Sequence, residues 1–387
     1  MKLAPGLLAP IFVPRIWGAR SLEPLYRFPA KPAVGGAREV SAETGTGDPH
    51  VQGADAAGSH AADPHAEERI GEVWLTGTEC VWASGPLAGR TVGETWPELP
   101  AEWTGYRMRG QPRIPLLVKF IFPEDHLSVQ VHPGDEYARA HESAAGGIGK
   151  TEMWYAVAAR ENAELRLGFE PGVTPDNFRR AIADGNADQC LTRITVRAED
   201  AFFVPAGTPH TIGPGMVLCE VQQHSDLTYR VYDYNRVAAD GNPRPLHVRQ
   251  AFEVMKFNAS PEQSGWRIEP AQIQIGPLLK TYLAACRHFA VERWQFSGEV
   301  LARTSPGQFE LLVVIEGSGR IVWGAESADY AAGECWFLPA ALGAFQLVPT
   351  RSSTTLLRAH VPDLPEFERE LSGAHVDPAA RARIIHP

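Results

Sequence analysis

Cysteine is scarce in this sequence, and its distribution restricts the kind of protein that the chain can form. The 387 residues include five cysteines, an odd number, scattered from Cys80 to Cys335 with no paired spacing. This pattern indicates neither a disulfide framework nor a closed cysteine metal cage. We interpret the cysteines as small apolar residues in a reducing compartment, and we expect a cytoplasmic protein.

Long apolar runs and clusters of basic residues are also missing. No stretch approaches the roughly 20 apolar residues that span a bilayer, and Pro5, Gly6 and Pro10 interrupt the apolar start before Arg15. The 46 acidic and 36 basic residues give a formal net charge of -10, without a run of Lys and Arg. We therefore expect neither a membrane nor nucleic acid as a partner, although a few local cations suffice to bind a small phosphorylated substrate.

Short apolar segments separated by Pro, Gly and acidic turns run through most of the chain. Examples are 115–122 and 153–158, and again 309–317 and 333–339. Such spacing is typical of a β-sandwich or barrel. One helix is predicted over 174–185, because a Thr cap and an early proline begin it and a glycine ends it.

The last third of the sequence repeats the pattern of strand, glycine turn and strand that is seen in the middle. Segment 333–339 has the rhythm of 200–205, which predicts a second copy of one barrel. The residues after Pro339 are Ala-Ala-Leu-Gly-Ala, with no histidine where His210 stands, so the second copy is predicted to be metal-free. We expect an N-terminal metal-binding domain over 1–260 and a C-terminal domain over 261–387.

Residues 31–68 interrupt the first domain. They are rich in Ala, Gly, Asp and His and show no apolar period, which predicts a flexible insertion. A metal-binding tract through His50, His60 and His65 is the alternative, but the spacing of these histidines is irregular.

Four polar residues predict a metal site. Gln130 and His132 alternate with Val129 and Val131 in an apolar strand, so both polar side chains point the same way. Glu152 follows one hairpin later, and His210 comes after a strand and a tight turn. Two imidazoles, a carboxylate and an amide oxygen suit a divalent cation, although zinc, iron, manganese and nickel all accept such ligands.

Further polar residues accompany this set. Glu220 and Gln222 share a strand face, and either is a candidate to support the metal ligands. Arg230 suits a phosphate or an enediolate oxygen, or else an ion pair with Asp226 or Asp233. Lys119 and Lys150 lie in or beside apolar strands, where an ammonium needs an anionic partner unless it reaches out to solvent. Trp17 is interpreted as core or as part of the site.

Five motifs carry a resemblance to a known family. They are Leu116-Leu-Val-Lys-Phe, Val129-Gln-Val-His-Pro, Gly149-Lys-Thr-Glu, Val204-Pro-Ala-Gly-Thr-Pro-His-Thr-Ile-Gly and Tyr229-Arg-Val-Tyr-Asp-Tyr. Together they closely resemble the type I mannose-6-phosphate isomerases, from Pro14 to about Arg236 and more weakly beyond. The resemblance implies a mainly β fold of two cupin (jelly-roll) barrels with a few inserted helices, the second barrel lacking metal ligands. It also implies an enzyme with one Zn²⁺ per chain, which interconverts mannose 6-phosphate and fructose 6-phosphate through a cis-enediol(ate). We expect a monomer, although the sequence leaves the oligomeric state open.

The resemblance also assigns roles to individual residues. The metal ligands it implies are Gln130, His132, Glu152 and His210. The catalytic residues are Arg230, Lys150, Glu220 and Asp226, with a lysine of lowered pKa (Lys150) as the first candidate base and Glu220 as the second. Candidate substrate contacts are Lys119, Ser128 and Trp17. The insertion at 31–68 and the variant segment Gly71-Glu-Val-Trp-Leu depart from the family pattern, and both bear on the mouth of the site.

Two other classes of protein remain open at this point. The first is a cupin-type sugar-binding or regulatory protein whose metal is structural. The second is a different metal-dependent cupin enzyme, such as a dioxygenase, which needs iron(II). Lys150 and Arg230 beside the ligands argue against the first, and the glutamine ligand argues against the second.

Overall fold

The structure is a computed structural model, and it describes residues 2–26, 69–237, 241–257, 266–350 and 353–386. The predicted insertion at 31–68, with its three histidines, lies outside the described residues. So does the predicted domain boundary between 260 and 261, and the division into 1–260 and 261–387 stays a prediction.

Most of the described chain is β-structure. The strands are β1 (Gly6–Leu8), β2 (Ile11–Ala19), β3 (Ile70–Trp74), β4 (Leu116–Ile121), β5 (Val129–Val131), β6 (Glu152–Ala159), β7 (Glu164–Phe169), β8 (Leu191–Thr195), β9 (Ala201–Val204), β10 (His210–Ile212), β11 (Met216–Gln223), β12 (Tyr229–Tyr232), β13 (Ala271–Ile275), β14 (Leu278–Ala285), β15 (Ala290–Phe296), β16 (Val300–Arg303), β17 (Glu310–Glu316), β18 (Ser318–Trp323), β19 (Glu326–Ala331), β20 (Cys335–Leu338), β21 (Ala344–Pro349) and β22 (Thr354–His360).

Helices are short and lie between or after the strands. They are α1 (Val92–Thr95), α2 (Ala101–Thr104), α3 (Asp135–His141), α4 (Pro175–Ala183), α5 (Val248–Val254), α6 (Leu364–Gly373) and α7 (Pro378–Ile384), with 3₁₀ turns at Trp96–Glu98, Tyr106–Met108, Ser143–Ala145 and Ala187–Cys190. None of the helices in the described ranges is long and apolar enough to cross a membrane.

The strands form two barrels, each made of a large and a small antiparallel sheet. In the first barrel the sheet β2-β3-β4-β11-β6-β9 faces the sheet β12-β5-β10-β7-β8. In the second, β1-β20-β17-β22-β15-β14-β13 faces β16-β21-β18-β19. The mainly β, two-barrel prediction is confirmed. Strand β1 is the exception to sequence order, because Gly6 pairs with Phe337 in the second barrel.

The largest apolar core lies between the barrels. Val118 and Phe120 of β4 point to this core, as do Leu311 and Val313 of β17. Separate apolar clusters fill the two interiors, with Trp154 in the first and Trp294 in the second. Because side chains alternate along a strand, the residues between the core positions point into the barrels. Polar residues at those positions, such as Lys119 of β4, therefore face the first interior.

Helix α4 confirms the helix predicted over 174–185. Thr174 caps it by accepting the N–H of Asn177, Pro175 is its first residue, and Gly185 follows it with φ +73°. Phe178 of α4 and Ala251 of α5 pack on the outer face of β5 and β12. This cover holds the short strand β5 in place, and β5 carries Gln130.

Candidate metal centre and active site

Strand register brings the polar residues together on the inner faces of the first barrel. In the small sheet, Gln130 of β5 lies opposite His210 on one side and Arg230 on the other. In the large sheet, Glu220 of β11 lies between Lys119 and Trp154. The next inward pair along β11 and β6 is Gln222 and Glu152. The two polar rows meet because the two sheets face each other.

His132, Glu152 and His210 form one compact group, which we call the His-Glu-His cluster. One ligand atom from each lies within 4.8 Å of the others, and all three side chains are buried. Glu152 Oε1 is 3.6 Å from His132 Nε2 and 3.5 Å from His210 Nε2. In the described residues this is the one such group of potential ligands, and the second barrel supplies none.

The two imidazoles are oriented by backbone carbonyls. His132 Nδ1 donates to Leu227 O at 2.7 Å, and His210 Nδ1 donates to Thr208 O at 3.0 Å. These bonds leave the lone pair of each Nε2 directed at the cluster. Burial lowers the pKa of His132 well below its usual value and that of His210 to about 4, so both rings are neutral at neutral pH.

The cluster contains buried polar atoms without partners. His132 Nε2 and Glu152 Oε1 are buried and form no hydrogen bond. Unpaired buried polar atoms are rare and call for an explanation. Neutral imidazole nitrogens and a carboxylate that converge on one point are the donors that a borderline divalent cation prefers. The residues present therefore fit a metal ion.

Gln130 lies at the edge of the cluster. Its Nε2 is 3.2 Å from His210 Nε2, and its Oε1 accepts a hydrogen bond from Ser128 Oγ at 3.2 Å. The two ends of an amide have nearly the same shape, so a half-turn of the side chain directs the oxygen to the cluster. The structure thus places Gln130 beside the other three predicted ligands.

Lys150 and Glu220 adjoin Glu152. Lys150 Nζ lies 3.2 Å from Glu152 Oε2 and 3.8 Å from Glu220 Oε1. Burial alone would lower the pKa of Lys150, but Glu152 and Glu220 outweigh it and raise the pKa, opposite to the lowered value expected of a lysine base. Burial raises the pKa of Glu220 to about 7, with Lys150 opposing the shift. Trp154 Nε1 donates to Glu220 Oε2 at 3.0 Å and fixes that carboxyl group.

Lys119 is paired on two sides. Its Nζ lies 2.8 Å from Asp226 Oδ1 and 3.5 Å from Glu72 Oε2, and its side chain is 2% exposed. Asp226 is 46% exposed and lies on the solvent side of this pair. The interpretation that Lys119 snorkels to solvent does not apply, because its ammonium already has two carboxylate partners.

Glu72 is a partner of Lys119 that the sequence did not predict. Glu72 also pairs with Arg15 at 3.1 Å and accepts from Trp74 Nε1 at 2.6 Å. The opposing cations outweigh burial and lower the pKa of Glu72. The sequence contains part of the signal for this role, because the alternation of β3 places Glu72 and Trp74 on the same face of the strand. Their contact with Lys119 depends on the pairing of β3 with β4, which the sequence does not state.

Arg230 is a half-buried cation without a carboxylate partner in the described residues. Its Nε donates to Ser128 Oγ at 3.3 Å and its Nη1 to Pro245 O at 3.0 Å. Burial, together with nearby Arg244, lowers its pKa to about 10. The expected alternative of an ion pair with Asp226 or Asp233 is not observed: Asp226 pairs with Lys119, and Asp233 with Arg236 and Arg244.

Trp17 stands apart from the other predicted site residues. It is 3% exposed and packs in the apolar cluster inside the first barrel. Its carbonyl accepts the N–H groups of Glu124 and Asp125. These contacts fit the interpretation of Trp17 as a core residue, and a substrate contact stays a prediction.

Comparison with known proteins gives a consistent result. Residues 279–361 match the family model described as mannose-6-phosphate isomerase, cupin domain. The chain is 39% identical to mannose-6-phosphate isomerase ManA of Bacillus subtilis (strain 168), over 72% of this chain and 87% of that protein. It is 37% identical to the mannose-6-phosphate isomerase of Streptococcus mutans, over 72% of this chain and 85% of that protein.

Solved structures agree with the sequence relatives. The crystal structure of the mannose 6-phosphate isomerase from Bacillus subtilis superposes with a TM-score of 0.75 at 28% identity, covering 92% of this chain and 100% of that one. This likeness extends across both barrels, which confirms the predicted pair of cupin barrels. The chain belongs to the mannose-6-phosphate isomerase family.

Proposed function

We propose that this protein is an aldose-ketose isomerase that interconverts mannose 6-phosphate and fructose 6-phosphate. The observation that carries the proposal is the grouping of three features in one barrel. The His-Glu-His cluster adjoins the proton-carrying pair Lys150 and Glu220, and Arg230 lies nearby without a carboxylate partner. Relatives with this family name cover most of the chain.

We propose one Zn²⁺ per chain, held by His132, Glu152, His210 and Gln130. The unpaired Nε2 and Oε1 atoms and the fixed tautomers of both histidines support this set. A solved mannose 6-phosphate isomerase with the same fold, at 14% identity and a TM-score of 0.65, is described as zinc-bound. When bound, such an ion polarises a carbonyl or hydroxyl oxygen and stabilises negative charge on it.

Lys150 and Glu220 are the proposed proton-transfer groups. The reaction moves a proton between neighbouring carbons, so a base and its conjugate acid must lie within reach of both. The ammonium is the stable form of Lys150, because Glu152 and Glu220 raise its pKa. Glu220, with a pKa of about 7, changes protonation state near neutral pH. We therefore propose that Glu220 exchanges the proton and that Lys150 donates to the substrate oxygens or relays the proton.

The remaining predicted residues have proposed binding roles. Arg230 stabilises either the phosphate or the enediolate oxygen. Both hydrogen-bond partners of its guanidinium are neutral, and it forms no ion pair with a carboxylate in the described residues. Ser128 orients both Arg230 and Gln130 through its hydroxyl. Asp226, which holds Lys119, assists opening of the sugar ring. Lys119 and Trp17 remain weaker candidates for contact with the substrate.

We also propose that the protein works as a monomer in the cytoplasm. All five cysteines are free thiols, four of them buried. This usage supports a reducing compartment.

A single variant tests the function. His210→Ala removes one imidazole but leaves the strand β10 intact, so we expect the fold to persist while bound zinc and isomerase activity are lost together. Metal analysis and a coupled assay with mannose 6-phosphate measure the two losses. His141→Ala, on helix α3 away from the cluster, is the matched control. Full activity in metal-free His210→Ala would end the proposal.

The same assay distinguishes the isomerase from the alternative of a sugar-binding or regulatory cupin whose metal is structural. A cupin that only binds sugar retains zinc in the wild-type protein but converts no mannose 6-phosphate. Lys150 and Glu220, both buried beside the cluster, argue against that rival, because a site that only binds sugar needs no buried pair of proton-exchanging groups.

A further inference from the structure

The segment Gly149–Thr151, which carries Lys150 and leads into β6, is held through three consecutive backbone amides. The N–H of Gly149 donates to Asp135 Oδ1 at 2.9 Å. The N–H of Lys150 donates to Pro133 O at 3.0 Å. The N–H of Thr151 donates to Gln223 Oε1 at 2.9 Å. Two of these three acceptors are side chains.

Asp135 and Gln223 are themselves joined. Gln223 Nε2 donates to Asp135 Oδ1 at 2.9 Å, so one carboxylate oxygen accepts from both Gly149 and Gln223. The amide of Gln223 has a single productive orientation, because its oxygen must accept and its nitrogen must donate. Hydrogen bonds to an ionised carboxylate are stronger than those between neutral groups. The Asp135–Gln223 pair therefore fixes the backbone on both sides of Lys150.

We call the hydrogen bonds that join Asp135, Gln223, Gly149 and Thr151 the tie. The segment around Asp135 and the segment around Gly149 are in direct contact. A Cβ at Gly149 would lie 2.6 Å from Asp135 N and 2.7 Å from Gly134 C, so no side chain fits there. Gly134 follows closely on His132, and Thr151 precedes Glu152. The tie thus sets the spacing between two members of the His-Glu-His cluster as well as the position of Lys150.

Asp135 also faces the second barrel. Its Oδ2 lies 3.2 Å from Arg287 Nη2 and 3.8 Å from His288 Nε2, both in the turn between β14 and β15. These residues, together with Gln223, line a cleft of about 620 Å³ between the barrels. The second barrel therefore contacts the support of the catalytic segment although it holds no cluster of its own in the described residues.

We propose that Asp135 is a positioning residue for the isomerase reaction: through Gln223 and the amides of Gly149 and Thr151 it holds Lys150 and Glu152 in register with His132. This inference rests on the proposed function. Asp135 acts through other groups and touches no reacting atom. A displacement of the order of 1 Å in a catalytic group costs roughly 100-fold in rate, so loss of the tie should lower kcat much more than it raises KM.

The test compares four variants of the full-length zinc protein. Asp135→Ala removes the tie, and Asp135→Asn keeps one oxygen to accept from Gly149. Arg287→Ala removes the ion pair with the second barrel and leaves the bonds of Asp135 to Gly149 and Gln223 in place. Glu136→Ala is the matched control, because this neighbouring residue of α3 is exposed and forms none of these bonds. The readouts are kcat and KM with mannose 6-phosphate, zinc content, melting temperature, and amide hydrogen exchange at 149–151.

We expect Asp135→Ala to lose about 10- to 100-fold in kcat with KM changed by less than about threefold. Zinc content and melting temperature should stay near those of Glu136→Ala, and amide exchange at Gly149 and Thr151 should accelerate. Asp135→Asn should recover most of kcat, and Arg287→Ala should change it by no more than about twofold, since that arginine is largely exposed.

Three results overturn the inference. One is kcat of Asp135→Ala within twofold of Glu136→Ala. Another is full recovery of kcat in Asp135→Ala when excess zinc is added, because the tie would then act by retaining the metal and not by positioning Lys150. The third is unchanged amide exchange at 149–151. If Asp135→Ala does not fold, Gln223→Ala is judged by the same measurements. Wild-type protein without isomerase activity would defeat the proposed function, whereas the exchange data would still decide whether the tie exists.

Discussion

The two barrels are built alike but surround equivalent glutamates with different partners. In the first barrel the inner strands run in the order β3-β4-β11-β6-β9, and in the second β14-β15-β22-β17-β20. Glu152 pairs with Val204, directly before Pro205, and Glu310 pairs with Leu338, directly before Pro339. Glu310 therefore occupies the place of the proposed ligand Glu152.

The partners of these two glutamates differ. Glu220 in the first barrel lies opposite Lys119, whereas Arg358 in the equivalent place of the second barrel lies opposite Glu292. Arg358 binds Glu310 at 2.6 Å and Glu292 at 3.1 Å. The fifth residue after the proline is His210 in one barrel and Ala344 in the other. The second barrel thus places a guanidinium on its buried carboxylates, while the first surrounds Glu152 with the Lys150 ammonium and two neutral imidazoles.

The pKa shifts show the same contrast. Burial raises the pKa of Glu152 although Lys150 opposes it. Burial also acts on Glu292, but Lys280 and Arg358 outweigh it and lower its pKa to about 2. Oε1 of Glu152 has no hydrogen-bond partner and faces two neutral imidazoles, so it can accept an external cation. Equivalent positions of the two barrels thus hold a proposed metal ligand in one and a member of a structural ion pair in the other, according to the residues placed next to them.

The largest effect is expected from Glu152→Gln. The amide keeps the shape but loses the negative charge that two neutral imidazoles cannot replace, so zinc binding should weaken strongly. We expect kcat/KM to fall by about 1,000-fold or more, equivalent to roughly 4 kcal/mol. Glu310→Gln is the matched control in the second barrel and should retain zinc and most of the activity. Equal losses in both variants would contradict the assignment of one site to the first barrel.

A loss of stability is expected from Arg358→Met. Removal of this cation leaves Glu310 and Glu292 buried without it, which costs about 3–5 kcal/mol for a broken buried pair. Urea unfolding measures this loss, and activity per folded molecule should be close to that of the wild type. The double variant with Glu310→Gln should recover part of the stability. A destabilisation below about 1 kcal/mol would show that the network is weaker than its geometry indicates.

The smallest effect is expected from Ala344→His, which restores a histidine at the place equivalent to His210. We expect zinc content to stay at one per chain, because Arg358 already occupies the carboxylate that would share the ion. Metal analysis after dialysis measures this. A second equivalent of bound zinc would mean that the ion pair yields to a metal, and the contrast between the barrels would then rest on Ala344 alone.

The sequence predicted the parts of the site that depend on local alternation. Gln130 lies in β5 and His132 directly follows that strand, with both side chains directed at the cluster, and after Pro339 no histidine stands where His210 does. The contacts of Lys119 with Glu72, and of Asp135 with Gln223, join segments far apart in the chain. Such pairs depend on strand register and on how loops meet, which hydrophobic periodicity does not encode.

Electrostatics was the other part that the sequence did not predict. A lysine base with a lowered pKa was expected at Lys150, because burial disfavours its charge. Two carboxylates converge on it in the folded protein and raise the pKa instead. The direction of the shift is decided by distances of 3–4 Å between side chains of different strands, and only the folded chain fixes those distances.

Strand β1 has a consequence for the order in which the molecule is made. On one side β1 bonds to the segment around Trp82, which is synthesised fewer than a hundred residues later, but its sheet partner β20 follows more than three hundred residues later. The first barrel is complete in the nascent chain well before that point, since its last strand, β12, ends at Tyr232. The seven-stranded sheet of the second barrel can therefore take up β1 only after β20 has been made.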